Sequence, residues 1–147
     1  MQSSVGKDRP DMSFMQMDVL SMKFQDDEFS VVLDKGTLDA LMPENGEKDV
    51  ERITNMFSEI SRVLKLGGRY IIVSLLQEHV LNIILDYFIN AGWMVRICRC
   101  FDAEENSFEK NGVVAMPVFV IVCTKFKKLS SSVPVSIKMP FRPFLGK

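Results

Sequence analysis

The stretch Phe29-Ser30-Val31-Val32-Leu33-Asp34-Lys35-Gly36-Thr37-Leu38-Asp39-Ala40 runs from an apolar, β-branched segment straight into an acid, a lysine and a glycine. Phe29–Leu33 has the composition of a strand, Asp34 terminates it, and Gly36 gives the following loop a residue without a Cβ. In an open parallel α/β sheet, ligands bind outside the carboxyl ends of the strands. A carboxylate there can accept a hydrogen bond from a nucleobase amino group or a ribose hydroxyl, and a glycine lets backbone approach a ligand closely. The same pattern also arises because acids favour turns and solvent, and both readings stand at this point.

Upstream, Met12-Ser13-Phe14-Met15-Gln16-Met17 alternates imperfectly and meets a second acid, Asp18, which predicts a short strand ending at the same crevice. Downstream, Val50, Ile53, Phe57, Ile60 and Leu64 recur at spacings of three and four, the period of an amphipathic helix, which the sequence predicts to stop at Gly67-Gly68. Arg69–Leu76 is apolar on both faces, as expected of a central strand in a sheet covered by helices on both sides. A second helix is predicted over Glu78–Asn90, then strands over Trp93–Phe101 and Val113–Phe126, joined by a polar connection short enough for an antiparallel hairpin. Strands alternating with helices indicate an α/β fold. Beyond Lys128, three prolines and three consecutive serines without periodicity read as a linker or tail.

Charge is unevenly divided. Residues 1–124 carry 19 acidic and 12 basic side chains, whereas residues 125–147 carry six basic and no acidic ones. Those six charges lack a basic-aromatic motif, so the tail reads as solvated and not as a nucleic-acid surface. No apolar run approaches the roughly 20 residues of a membrane helix, and no basic-plus-apolar leader is evident, so membrane and secretory classes are not expected. Cys98, Cys100 and Cys123 are too few and too irregular for a disulfide framework and read as reduced in a cytoplasmic protein, Cys98 and Cys100 filling one face of a strand; no metal site is expected. His79, the single histidine, reads as an exposed helix residue, although its place after a strand would let it reach the crevice. Trp93, Phe57 and Phe88 read as core.

Four stretches carry a resemblance: Met12–Asp18, Phe29–Ala40, Ser58–Tyr70 and Gly92–Arg96. Together they resemble the N-terminal methyltransferase domain of the elongation factor 1-alpha lysine and N-terminal methyltransferases. The most specific part is Asp34-Lys35-Gly36-Thr37-Leu38-Asp39-Ala40, whereas Arg62-Val63-Leu64 followed by Gly67-Gly68-Arg69 is shared broadly among class I S-adenosylmethionine-dependent methyltransferases. The resemblance implies a Rossmann-like sheet, S-adenosylmethionine as cofactor and methylation of a lysine on elongation factor 1-alpha. It further implies that Asp18 and Val19 contact adenine, and that Asp34, Lys35 and Gly36 line the cofactor and substrate crevice. Asp39 either orients the incoming amine or caps its turn.

Relative to that family, the first strand, its Gly-x-Gly loop and the second strand are not found upstream of Met12. The expectation is an incomplete class I sheet comprising the third to seventh strands, the last two forming an antiparallel hairpin. Residues 1–11 would be a polar segment, 12–128 a partial methyltransferase domain and 129–147 the basic tail. A non-catalytic fragment or interaction module, lacking the glycine-rich loop, is the alternative function. The open edge of the Phe29–Leu33 strand is then expected to promote self-association.

Overall fold

The computed structural model describes residues 11–42, 46–101 and 116–126. Its elements follow in the order β1 (Phe29–Lys35), α1 (Thr37–Leu41), α2 (Glu47–Val63), β2 (Leu64–Ser74), α3 (Glu78–Asn90), β3 (Met94–Arg99) and β4 (Phe119–Thr124). They build a four-stranded sheet ordered β1-β2-β4-β3, in which β1 and β2 are parallel while β4 runs antiparallel to both β2 and β3. The antiparallel final pair and the interior position of the Arg69–Leu76 run are as expected. Met12–Met17 is not: it forms no strand, so the described sheet lacks the first of the five strands predicted. The alternation there is imperfect, and Met12, Phe14 and Met15 remain exposed. Such a run gains little from a pleat without an apolar face to bury. The predicted polar segment before Asp11, the 102–112 connection and the basic tail lie outside the described residues.

The apolar period decides which face of each element is inward. Ile53, Met56, Phe57 and Ile60 of α2 pack with Val80, Ile84 and Phe88 of α3 on the strand face that carries Tyr70, Ile72, Ile121 and Cys123. Phe88 lies within 4.8 Å of Phe57 and 4.9 Å of Trp93, centroid to centroid, so the aromatic residues assigned to the core do lie in it. Leu38 in the short helix α1 and Met42 just beyond it complete this layer. Helices on both faces were expected, but among the described residues they cover one. On the other face of β1, Val31 and Leu33 are 50% and 67% exposed.

The first long helix ends at Val63 and not at the glycine pair. Phe29 pairs with Leu64 and Val31 with Arg69, so residues 65–68 loop out within β2. A Cβ on Gly68 would sit 2.7 Å from the Lys65 carbonyl oxygen, a separation that only glycine avoids. Nearby, Arg62 ties the approach to β1 against α2: its guanidinium donates to the carbonyls of Met22 and Phe24 and to the carboxylates of Asp26 and Glu59. The Arg62 hydrogen bonds hold the Glu59 carboxyl below its usual range, outweighing partial desolvation. This end of the molecule is braced, which leaves the opposite, carboxyl end of the parallel pair as the place to look for chemistry.

Candidate functional site

Parallel pairing sets Asp34 against Ile72 and Lys35 against Val73, so the segments leaving β1 and β2 emerge side by side. Asp34 is 6% exposed, and burying a carboxylate is costly unless its oxygens are occupied. They are. Oδ1 accepts the Thr37 amide at 2.8 Å, while Oδ2 accepts the Leu38 amide at 3.2 Å and the Tyr70 hydroxyl at 2.9 Å. Asp34 thereby fixes the first turn of α1. Burial, followed by the Asp34 charge, pushes the Tyr70 phenol well above its ordinary range, so it stays a donor.

Lys35 is exposed beyond Asp34, and Gly36 follows with φ of 79°. No atom lies within 4 Å of where a Gly36 Cβ would be, so the space beside it is open and the left-handed angle is what calls for glycine.

Asp39 does not cap its own turn. Its Oδ1 accepts the Ser74 hydroxyl at 2.6 Å, and Oδ2 receives the Leu75 amide only at a long 3.4 Å. Ser74 is 3% exposed, and its oxygen also accepts the Leu76 amide at 2.8 Å. Leu76 has φ of 51°, a left-handed angle that costs a leucine about 1–2 kcal/mol. The Ser74 hydroxyl thus ties a strained turn to the carboxylate on α1. Asp39, Met42, Leu75, Gln77 and Val80 line a hollow of about 60 Å³ beneath it. In the sequence, Ser74 and Leu76 stand out only through a hydroxyl set inside an otherwise apolar run.

His79 is half-buried, unlike the exposed residue expected. Its Nε2–H donates to the Met42 carbonyl at 3.1 Å and so fastens the end of α1 to the start of α3. Asp18 is exposed in a turn, its Oδ1 accepting the Leu20 amide at 2.9 Å, and Val19 packs against the core. The structure therefore brings Asp34, Lys35, Gly36 and Asp39 together with Ser74, while Asp18 and Val19 belong to the preceding segment. The side-chain hydrogen bonds of Asp18 stay within its own turn, and those of Asp34 and Asp39 run to α1 and β2.

Cys98 and Cys100 do not jointly fill an inner strand face: Cys98 is exposed on β3 and Cys100 half-buried just beyond it. Cys123 is buried, which pushes its thiol up to about 12. Among the described residues no three metal-ligating side chains converge, and no helix is long and apolar enough to cross a membrane.

A methyltransferase domain model matches residues 2–72. Over 125 residues the chain is 48% identical to the eEF1A lysine and N-terminal methyltransferase homolog of Drosophila melanogaster, covering 84% of this chain and 19% of that protein. Over 124 residues it is 41% identical to the eEF1A lysine and N-terminal methyltransferase of Homo sapiens, covering 84% and 18%. The chain spans about a fifth of the length of these curated relatives. A crystal structure of a candidate DNA modification methylase from Thermus thermophilus matches with a TM-score of 0.50 at 14% identity, over 76% of this chain and 50% of that one, a likeness of fold alone.

Proposed function

We propose, from the premise that this chain has a class I methyltransferase fold and is related over most of its length to the eEF1A lysine and N-terminal methyltransferases, that it serves S-adenosylmethionine-dependent methylation of a lysine on eEF1A in the cytoplasm. The observation that carries this reading is the juxtaposition of Asp34-Lys35-Gly36 and Asp39 with the end of β2, at the carboxyl ends of the strands, outside which α/β folds bind ligands.

The open, left-handed backbone at Gly36 fits the close approach of a cofactor, and the exposed carboxylate of Asp18 fits an adenine amino group. Asp18, Val19, Lys35 and Gly36 are the residues we assign to holding S-adenosylmethionine. When bound, it supplies a methyl group made electrophilic by a sulfonium. Asp34 lines the same crevice from below; with both oxygens engaged, its part is to hold Lys35 and Gly36 in place.

Transfer to an amine is an in-line displacement, so the chain's task is alignment of a neutral nitrogen. Asp39 is placed on the acceptor side. One oxygen is fixed by Ser74 and the other is only loosely engaged, so the latter can accept an N–H of the incoming lysine and orient its lone pair. The experiment is transfer of radiolabelled methyl from S-adenosylmethionine to purified eEF1A. Label on a lysine that falls about tenfold or more with Asp39→Ala supports the assignment, and no label with the unaltered chain refutes it.

A further inference from the structure

We infer that Ser74 is a positioning residue for methyl transfer, acting through Asp39 on the acceptor lysine; this rests on the function proposed above. A serine hydroxyl has one proton to donate, and here it has one destination. Ser74 Oγ–H donates to Asp39 Oδ1 at 2.6 Å, the shortest side-chain contact in the crevice, while the same oxygen accepts the Leu76 amide at 2.8 Å. The hydroxyl's orientation is therefore set from both sides. Ser74 itself is only 3% exposed, which limits the access of water to its hydroxyl.

The consequence for Asp39 is an asymmetry. Oδ1 is held by a short, charge-assisted bond, whereas Oδ2 has only the Leu75 amide at 3.4 Å and keeps acceptor capacity. A carboxylate pinned through one oxygen presents the other in a fixed direction, which is what aligning a nitrogen requires. The positive φ of Leu76 is the second sign that the turn is held for more than stability, since a leucine leaves that region unless something restrains it. Without the hydroxyl, the turn after β2 is released, and Asp39 can rotate toward the Leu75 amide.

The test compares Ser74→Ala, Ser74→Thr and Asp39→Asn with the unaltered chain, reading S-adenosylhomocysteine affinity by calorimetry, kcat and KM for eEF1A, and the thermal midpoint. Ser74→Ala should lower kcat by about tenfold or more with cofactor affinity within twofold. Ser74→Thr, which keeps the hydroxyl, should restore most of the rate. Asp39→Asn retains the shape and tests the same interaction should Ser74→Ala fold poorly; it should lower kcat without weakening the cofactor. A Ser74→Ala rate within twofold of the unaltered chain, or losses of kcat and cofactor affinity in step with a lowered midpoint and no rescue by threonine, would overturn the inference alone. An unaltered chain that neither binds S-adenosylhomocysteine nor transfers methyl would overturn the function itself, and this inference with it.

Discussion

At the scale of single residues, the site divides acids that look alike in the sequence. Asp34 and Asp39 belong to one short motif, yet Asp34 is buried under three donors and Asp39 reaches across to another strand's end. The motif was expected to end the strand at Asp34, but β1 runs one residue further, to Lys35, and Asp39 lies in α1. Nor did the motif show which acid is held by Tyr70 or Ser74, because those partners lie 36 and 35 residues away and meet the acids only through the parallel register. Tyr70→Phe should cost about 1–3 kcal/mol in urea denaturation, since it leaves buried Asp34 short of a donor. Alkali offers a second check. Cys123 holds its proton up to about 12 in the fold against an ordinary value of 9.0, so the folded state binds more protons across that interval. Its contribution is complete below about pH 9 and is lost as pH rises toward 12; Tyr70, also raised, adds to the loss from above its ordinary 10.0. The fall of the thermal midpoint as pH rises from about 9 toward 12 should be shallower in Cys123→Ala than in the unaltered chain.

At the scale of elements, periodicity was a sound guide where a face is buried and a poor one where it is not. α3 spans Glu78–Asn90 as read, because Val80, Ile84 and Phe88 supply one inward stripe. The run Met12–Met17 failed as a strand because its alternation is imperfect and leaves Met12, Phe14 and Met15 exposed. The glycine pair was read as a helix stop, yet α2 ends at Val63 and the pair serves a bulged excursion inside β2. Glycines mark unusual backbone without saying which kind, and only the pairing of Phe29 with Leu64 identifies the excursion. Gly68→Ala should therefore destabilise by about 1–3 kcal/mol, because the new Cβ must push against the Lys65 backbone. Chemical denaturation measures it, and a neutral result would mean that the excursion is not fixed.

At the scale of the whole molecule, among the described residues the sheet has one face under helices and an edge strand, β1, whose Val31 and Leu33 lie open. Such an edge is a template for pairing with another chain. Sedimentation of the unaltered chain should show concentration-dependent association that Leu33→Lys reduces; a monomer at all concentrations would argue against it. The α/β class and the antiparallel final pair could be read from the order of apolar runs, because each buries against a neighbour close in sequence. The single-faced cover and the Ser74 bridge could not, since both depend on how distant segments register. Calorimetric titration of this chain with S-adenosylhomocysteine tests whether the carboxyl ends of β1 and β2 form a cofactor crevice. Micromolar binding is predicted, and no heat at millimolar ligand would contradict it.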